Sequence, residues 1–150
     1  MSAFEKAESV MKCLGENIFY LGEDVGKGTM AKLVNNAILF SVAQVVQEGL
    51  VLGEKAGFDL DELHNILKVS SSSAHLGMVP LFLSRKFDKG FTVKLAEKDM
   101  AMALESGREL KVTMPAINAA HQTYLKSIAM DRGHKMFAAT LETLEQEAGL

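Results

Sequence analysis

Residues 22–52 read GEDVGKGTMAKLVNNAILFSVAQVVQEGLVL, and this stretch decides the fold. It opens with three glycines, Gly22, Gly26 and Gly28, and continues as a long run with apolar residues on nearly every side. A helix of about 24 residues is roughly 36 Å long, and one that is apolar nearly all round belongs in a core or an interface. Lys32, Asn35 and Asn36 stand near its start. Positions three and four apart share a helix face, so Lys32 projects alongside both amides. An ammonium buried without partners costs several kcal/mol and loses proton affinity, so a desolvated lysine trades protons readily. The pattern also suits a plainer arrangement, in which the lysine stem snorkels to solvent and the amides cap or bridge neighbouring helices. Spacing alone leaves both open.

The chain around this stretch sets the frame. With 150 residues it is one domain's worth, and with 48% apolar residues and a net charge of −3 it has no basic surplus for phosphate backbones; nucleic-acid binding is not expected. The one cysteine, Cys13, permits no internal disulfide and reads as a small hydrophobe in a reducing, cytoplasmic setting. No basic, apolar and small-residue succession marks a leader, and Asn, Gln, Ser and Glu interrupt the apolar helix, so a soluble protein with no membrane partner is expected.

Residues 2–14 read as a short amphipathic helix capped by Ser2, with Phe4, Ala7, Val10 and Met11 at helical spacing and Gly15 ending it. Residues 18–21, Ile-Phe-Tyr-Leu, are the one persuasive strand. A lone strand has no partner for its backbone, so it pairs with another chain or is the torn edge of a larger α/β domain. The glycines invite two nucleotide-binding readings, a G-x-G-x-x-A fingerprint from Gly26 to Ala31 and a Gly-Lys phosphate loop beside Thr29. Both fail: more helix follows the central one where a βαβ unit needs a strand, and the phosphate-loop spacing is one residue short. The glycines instead turn the chain into the central helix, with Thr29 near its N-cap.

Beyond Gly53 the sequence is a succession of helices. Asp59 and Glu62 form a capping box for a helix faced by Leu60, Leu63, Ile66 and Leu67, and serines 70–73 break it. Those serines beside His75 lack a placed acid for a triad. Pro80 divides or kinks a Leu/Phe-rich segment over 74–87. A second long helix spans 91–110, a third starts at Pro115 with Ala116, Ile117, Ala120, Tyr124, Leu125 and Ile128 as its buried stripe, and the last covers about residues 136–147. His64, His121 and His134 have no metal-ligand spacing, and no metal is expected. Lys98 beside Asp99 reads, by itself, as a solvated charged face.

Two motifs change the weight of these readings. The run Gly26, Gly28, Lys32, Asn35, Asn36 after the apolar residues 18–21, and the later Phe91-x-x-x-Leu95-x-x-Lys98-Asp99, resemble in order and approximate spacing the helical domain of the β-hydroxyacid dehydrogenases, such as 3-hydroxyisobutyrate dehydrogenase and tartronate semialdehyde reductase. The resemblance implies an all-α domain of the 6-phosphogluconate dehydrogenase C-terminal kind, built around one long buried helix. It makes residues 1–24 the end of a dinucleotide-binding domain and 25–150 the helical substrate and dimerisation domain. It further implies an NAD- or NADP-dependent oxidoreductase that interconverts a small β-hydroxyacid and its oxo form, with Lys32 as the catalytic acid/base. Asn36, Asn35 and Phe91 are implied to contact substrate and Lys98 to reach the cofactor. The pyrophosphate-binding loop lies in a domain outside this chain, so the chain alone is expected to be inactive. Family members associate through this domain, which also suits a noncatalytic helical interaction module.

Overall fold

A computed structural model describes residues 3–150. The chain divides into two compact units, Met1–Ala31 and Lys32–Leu150. In the first, helix α1 (Ala3–Met11) buries none of its residues; the Ser2 cap expected for it lies outside the described residues. An i,i+4 pair between Lys12 and Glu8 at 2.9 Å closes its end, and Phe4 and Tyr20 meet with ring centroids 4.9 Å apart. Residues 18–21 form no strand. Their β-propensity is real, but a strand is defined by its ladder, and among the described residues no segment pairs with them.

Helix α2 (Lys27–Lys55) begins immediately after Gly26, whose φ of 99° is a conformation that favours glycine. Thr29 is inside the first turn and not at the cap. From Lys32 onward α2 is the spine of the second unit. Leu33, Ala37, Phe40, Gln44, Gln47 and Val51 recur at alternating steps of four and three, and this face is buried. An adjacent face is also apolar but exposed: Val34, Ile38, Val45 and Leu52 each show more than half their surface. By length and composition alone α2 could span a membrane. Its buried face, which includes Gln44 and Gln47, instead packs as a core helix.

The other helices are α3 (Leu60–Leu67), α4 (Val79–Ser84), α5 (Val93–Glu109), α6 (Pro115–Ala129) and α7 (Thr140–Ala148), with 3₁₀ turns at Ser73–Met78 and Phe137–Ala139. Asp59 caps α3 by accepting from the amides of Asp61 and Glu62. Thr92 caps α5 through the Leu95 amide, and Pro115 opens α6, where a missing N–H costs nothing. Pro80 sits in the first turn of α4, so the Leu/Phe-rich segment is two short helices and not one kinked one. Leu125 and Ala116, expected in the α6 stripe, are exposed; Ala120, His121, Tyr124 and Ser127 are its buried residues.

The core is centred on Phe40, which stacks on Phe91 at 5.5 Å and meets Tyr124 and Phe137 at 5.9 and 5.3 Å. Val79, Phe82, Val93, Met100 and Leu141 complete it. A smaller cluster of Leu33, Ala37 and Ala103, with Met114 and Ile117 against it, packs the start of α2 against α5 and α6. That second contact brings α2 and α5 together where the motif residues lie.

Candidate functional site

The buried stripe of α5 runs Val93, Ala96, Asp99, Met100, Ala103, Gly107. Helical periodicity alone therefore carries one carboxylate inward, and Asp99 is 1% exposed. Because Leu33 and Ala37 of α2 pack against Ala103, the polar residues beside them in sequence, Lys32 and Asn36, face the turn of α5 that holds Asp99. Lys32 Nζ lies 3.1 Å from Asp99 Oδ2, and Asn36 Nδ2 donates to the same oxygen at 2.7 Å. Lys98 Nζ pairs with Asp99 Oδ1 at 3.0 Å. Asn35 Nδ2 donates to Asn36 Oδ1 at 3.1 Å.

Burial of the Asp99 carboxyl favours its neutral form. The Lys98 ion pair and the hydrogen bonds from Asn36 and Lys32 outweigh this and hold its pKa below the usual carboxylate value. The two lysine side chains are 56% and 55% exposed. The site is thus a buried carboxylate carrying an amide and two half-exposed ammonium groups. A neutral amide and two cations around one anion form an environment suited to a small carboxylate or to oxygen that acquires charge.

Of the residues singled out by sequence, the structure joins Lys32, Asn36 and Lys98 through Asp99 and attaches Asn35 through Asn36. Lys32 is half-exposed in this chain, not enclosed. Phe91 stands apart in the aromatic core against Phe40, one helical turn beyond Asn36. His75 and Ser72 line a different feature, an apolar groove of about 880 Å³ along α2 from Ser41 to Ala56. His121 is buried and bonded to Glu97 at 3.0 Å. Among the described residues, no three His, Cys, Asp or Glu side chains stand together as metal ligands. Sequence reading passed over Asp99 as a surface charge. The signal that would have found it was its place in the Val93, Ala96, Met100, Ala103 stripe.

Comparison with known proteins gives the chain a family. Residues 26–144 match the family model described as "NAD-binding of NADP-dependent 3-hydroxyisobutyrate dehydrogenase". Over 99% of its length the chain is 32% identical to 2-(hydroxymethyl)glutarate dehydrogenase of Eubacterium barkeri, and over 95% it is 33% identical to glyoxylate/succinic semialdehyde reductase 1 of Arabidopsis thaliana, covering 50% of each. The chain therefore spans about half the length of these curated relatives. A solved structure of Mycobacterium tuberculosis 3-hydroxyisobutyrate dehydrogenase with L-serine shares the fold, with a TM-score of 0.82 at 24% identity over 94% of this chain and 51% of that one. The all-α architecture and the family match agree: the chain belongs to the 3-hydroxyisobutyrate dehydrogenase family of NAD(P)-dependent β-hydroxyacid dehydrogenases.

Proposed function

We propose that this domain supplies the proton-transfer and substrate-holding half of an oxidoreductase that interconverts a small β-hydroxyacid and its semialdehyde or oxo form. Residues 1–24 are then the end of a dinucleotide-binding domain that belongs to the same, longer, cytoplasmic protein. The observation that carries the reading is the convergence of Lys32 and Asn36 on one carboxylate oxygen, with Lys98 on the other.

Lys32 gives a proton to the carbonyl oxygen during reduction and takes the hydroxyl proton during oxidation. Asn36 holds the substrate's carboxylate or hydroxyl through its remaining N–H, and Asn35 fixes the amide orientation from behind. Phe91 supports the pocket wall through Phe40. The nicotinamide cofactor supplies or accepts the hydride. The half-exposed ammonium of Lys98 is compatible with an approach to that anionic group, whereas the glycines before α2 form no phosphate cradle. Gly28 is already helical, and the Lys27 ammonium is paired with Asp24 at 2.7 Å. Most of the cofactor contact therefore belongs to the other domain, and the isolated chain is inactive and binds NAD(P) very weakly.

In the full-length protein, Lys32→Ala should lower turnover by roughly 10²- to 10⁴-fold, the usual contribution of a positioned acid/base, with cofactor affinity near normal. Unchanged turnover removes the proton-transfer role. Micromolar NAD(P) binding by the isolated chain, read by calorimetry, contradicts the division of labour.

A second reading has its own observation. The exposed stripe of Val34, Ile38, Val45 and Leu52 borders the apolar groove and suits association with a second copy. Self-association accompanies the enzymatic reading or, in a protein without the dinucleotide domain, replaces it as a noncatalytic dimerisation module. Light scattering of the chain distinguishes monomer from dimer.

A further inference from the structure

The cluster has an asymmetry that neither the motifs nor the proposed chemistry accounts for. In a structural salt bridge of the interior both partners are buried and satisfy each other. Here only the acid is buried, and the cations it holds are more than half exposed. Asp99 also sorts its partners. Oδ2 takes the two residues from α2, Lys32 and Asn36, while Oδ1 takes Lys98 from its own helix. Two ammonium groups are thereby kept near each other on opposite oxygens of the anion that offsets their repulsion. The Asn36 amide has one N–H committed to Asp99 and its oxygen committed to Asn35, so it offers outward a single N–H in a fixed direction. A free lysine samples many rotamers, and an anchor on its amine removes much of that freedom before any ligand arrives.

We propose that Asp99 is the positioning residue of this site: its buried carboxylate fixes the Lys32 amine and the Asn36 amide at a common point and holds Lys98 apart from them. The catalytic meaning of this anchoring rests on the dehydrogenase reading, but the anchoring itself is a property of the chain and is measured on it.

The test is side-chain NMR of the isolated chain labelled with ¹⁵N and ¹³C. At low temperature the Lys32 ammonium should give a resolved ¹H–¹⁵N signal with a coupling across the hydrogen bond to the Asp99 carboxyl carbon. On acidification the Lys32 Nζ, Lys98 Nζ and Asn36 Nδ2 resonances should move together with one midpoint, that of the Asp99 carboxyl. In Asp99→Asn the coupling should vanish and Lys32 ammonium exchange with water should rise at least about tenfold, the loss expected for a charge-assisted bond. The far-UV spectrum should be retained. A Lys32 signal indifferent to Asp99 titration overturns the proposal, and this readout needs no variant, so it decides even if Asp99→Asn fails to fold. The kinetics of Lys32→Ala in the full-length enzyme are independent of it. Anchoring without a turnover defect defeats the catalytic reading alone, and a turnover defect without co-titration defeats the anchor alone.

Discussion

Replacing Gln47 by leucine tests what holds α2 in the rotation that presents Lys32 and Asn36 to Asp99. Gln47 lies about four turns along the helix from Lys32 and is fully buried. Its Nε2 donates to Ala138 O at 3.1 Å, and its Oε1 accepts from the Thr140 hydroxyl at 2.6 Å. Leucine fills much of the volume and makes neither bond. The Thr140 hydroxyl remains satisfied, since Phe137 O lies 3.0 Å away. Ala138 O loses its side-chain donor and is left with the Thr140 amide shared with Phe137 O as a weak partner. The cost is thus one lost buried bond and one poorly satisfied carbonyl, partly offset by added apolar contact, or about 2 kcal/mol in all. For a chain of this length the melting temperature should fall by roughly 4–8 °C. The assay is thermal and urea unfolding followed by circular dichroism, with the urea slope unchanged. Adding Thr140→Val should cost less than it does alone, with a coupling of about 1 kcal/mol, because the first substitution has already removed their shared bond. A melting point unmoved by Gln47→Leu, or strict additivity of the pair, refutes the claim that this network fixes the helix.

Two further outcomes follow from the same geometry. Asp99 has a folded-state pKa below its unfolded value, so its ion pairs stabilise the fold fully above the ordinary carboxylate range and are lost as pH falls through the folded value. Acid unfolding profiles should show this limb below about pH 4, and Asp99→Asn should flatten it; a limb of equal depth in the variant assigns acid sensitivity elsewhere. If the exposed stripe of α2 mediates self-association, Val45→Lys, at a position 66% exposed, should convert dimer to monomer in light scattering with little change in melting temperature once dilution is allowed for. A dimer that survives the substitution places the interface on another face.

The helices were legible because their signals are local. Asp59 with Glu62 downstream, the glycines that turn the chain into α2 and Pro115 at the start of α6 each depend on residues within a turn or two. Residues 18–21 misled for the complementary reason. Their β-propensity is as local as a helix cap, but a strand exists only through pairing with a distant segment. Long-range packing likewise decided the fate of the two apolar faces of α2, one of which is covered by Tyr124, Phe137 and Leu141 while the other remains exposed. Apolar spacing does not distinguish those faces, since leucine and valine occur on both.

The candidate site shows the boundary between the two kinds of information most clearly. Lys32, Asn35 and Asn36 declare themselves as neighbours because three- and four-residue spacing is a property of one helix. Lys98 and Asp99 are adjacent on another helix, where consecutive residues diverge by about 100°; one therefore reaches solvent while the other enters the core. A charged pair read as a pair looks like surface, whereas read against the apolar period of α5 it separates into an exposed cation and a buried anion. Burying that anion is tolerable only where donors meet it, and the donors come from α2, 63 and 67 residues away in sequence. The carboxylate that organises the site is therefore the member least visible in the sequence, because its partners are assigned by the crossing of two helices and not by spacing within either.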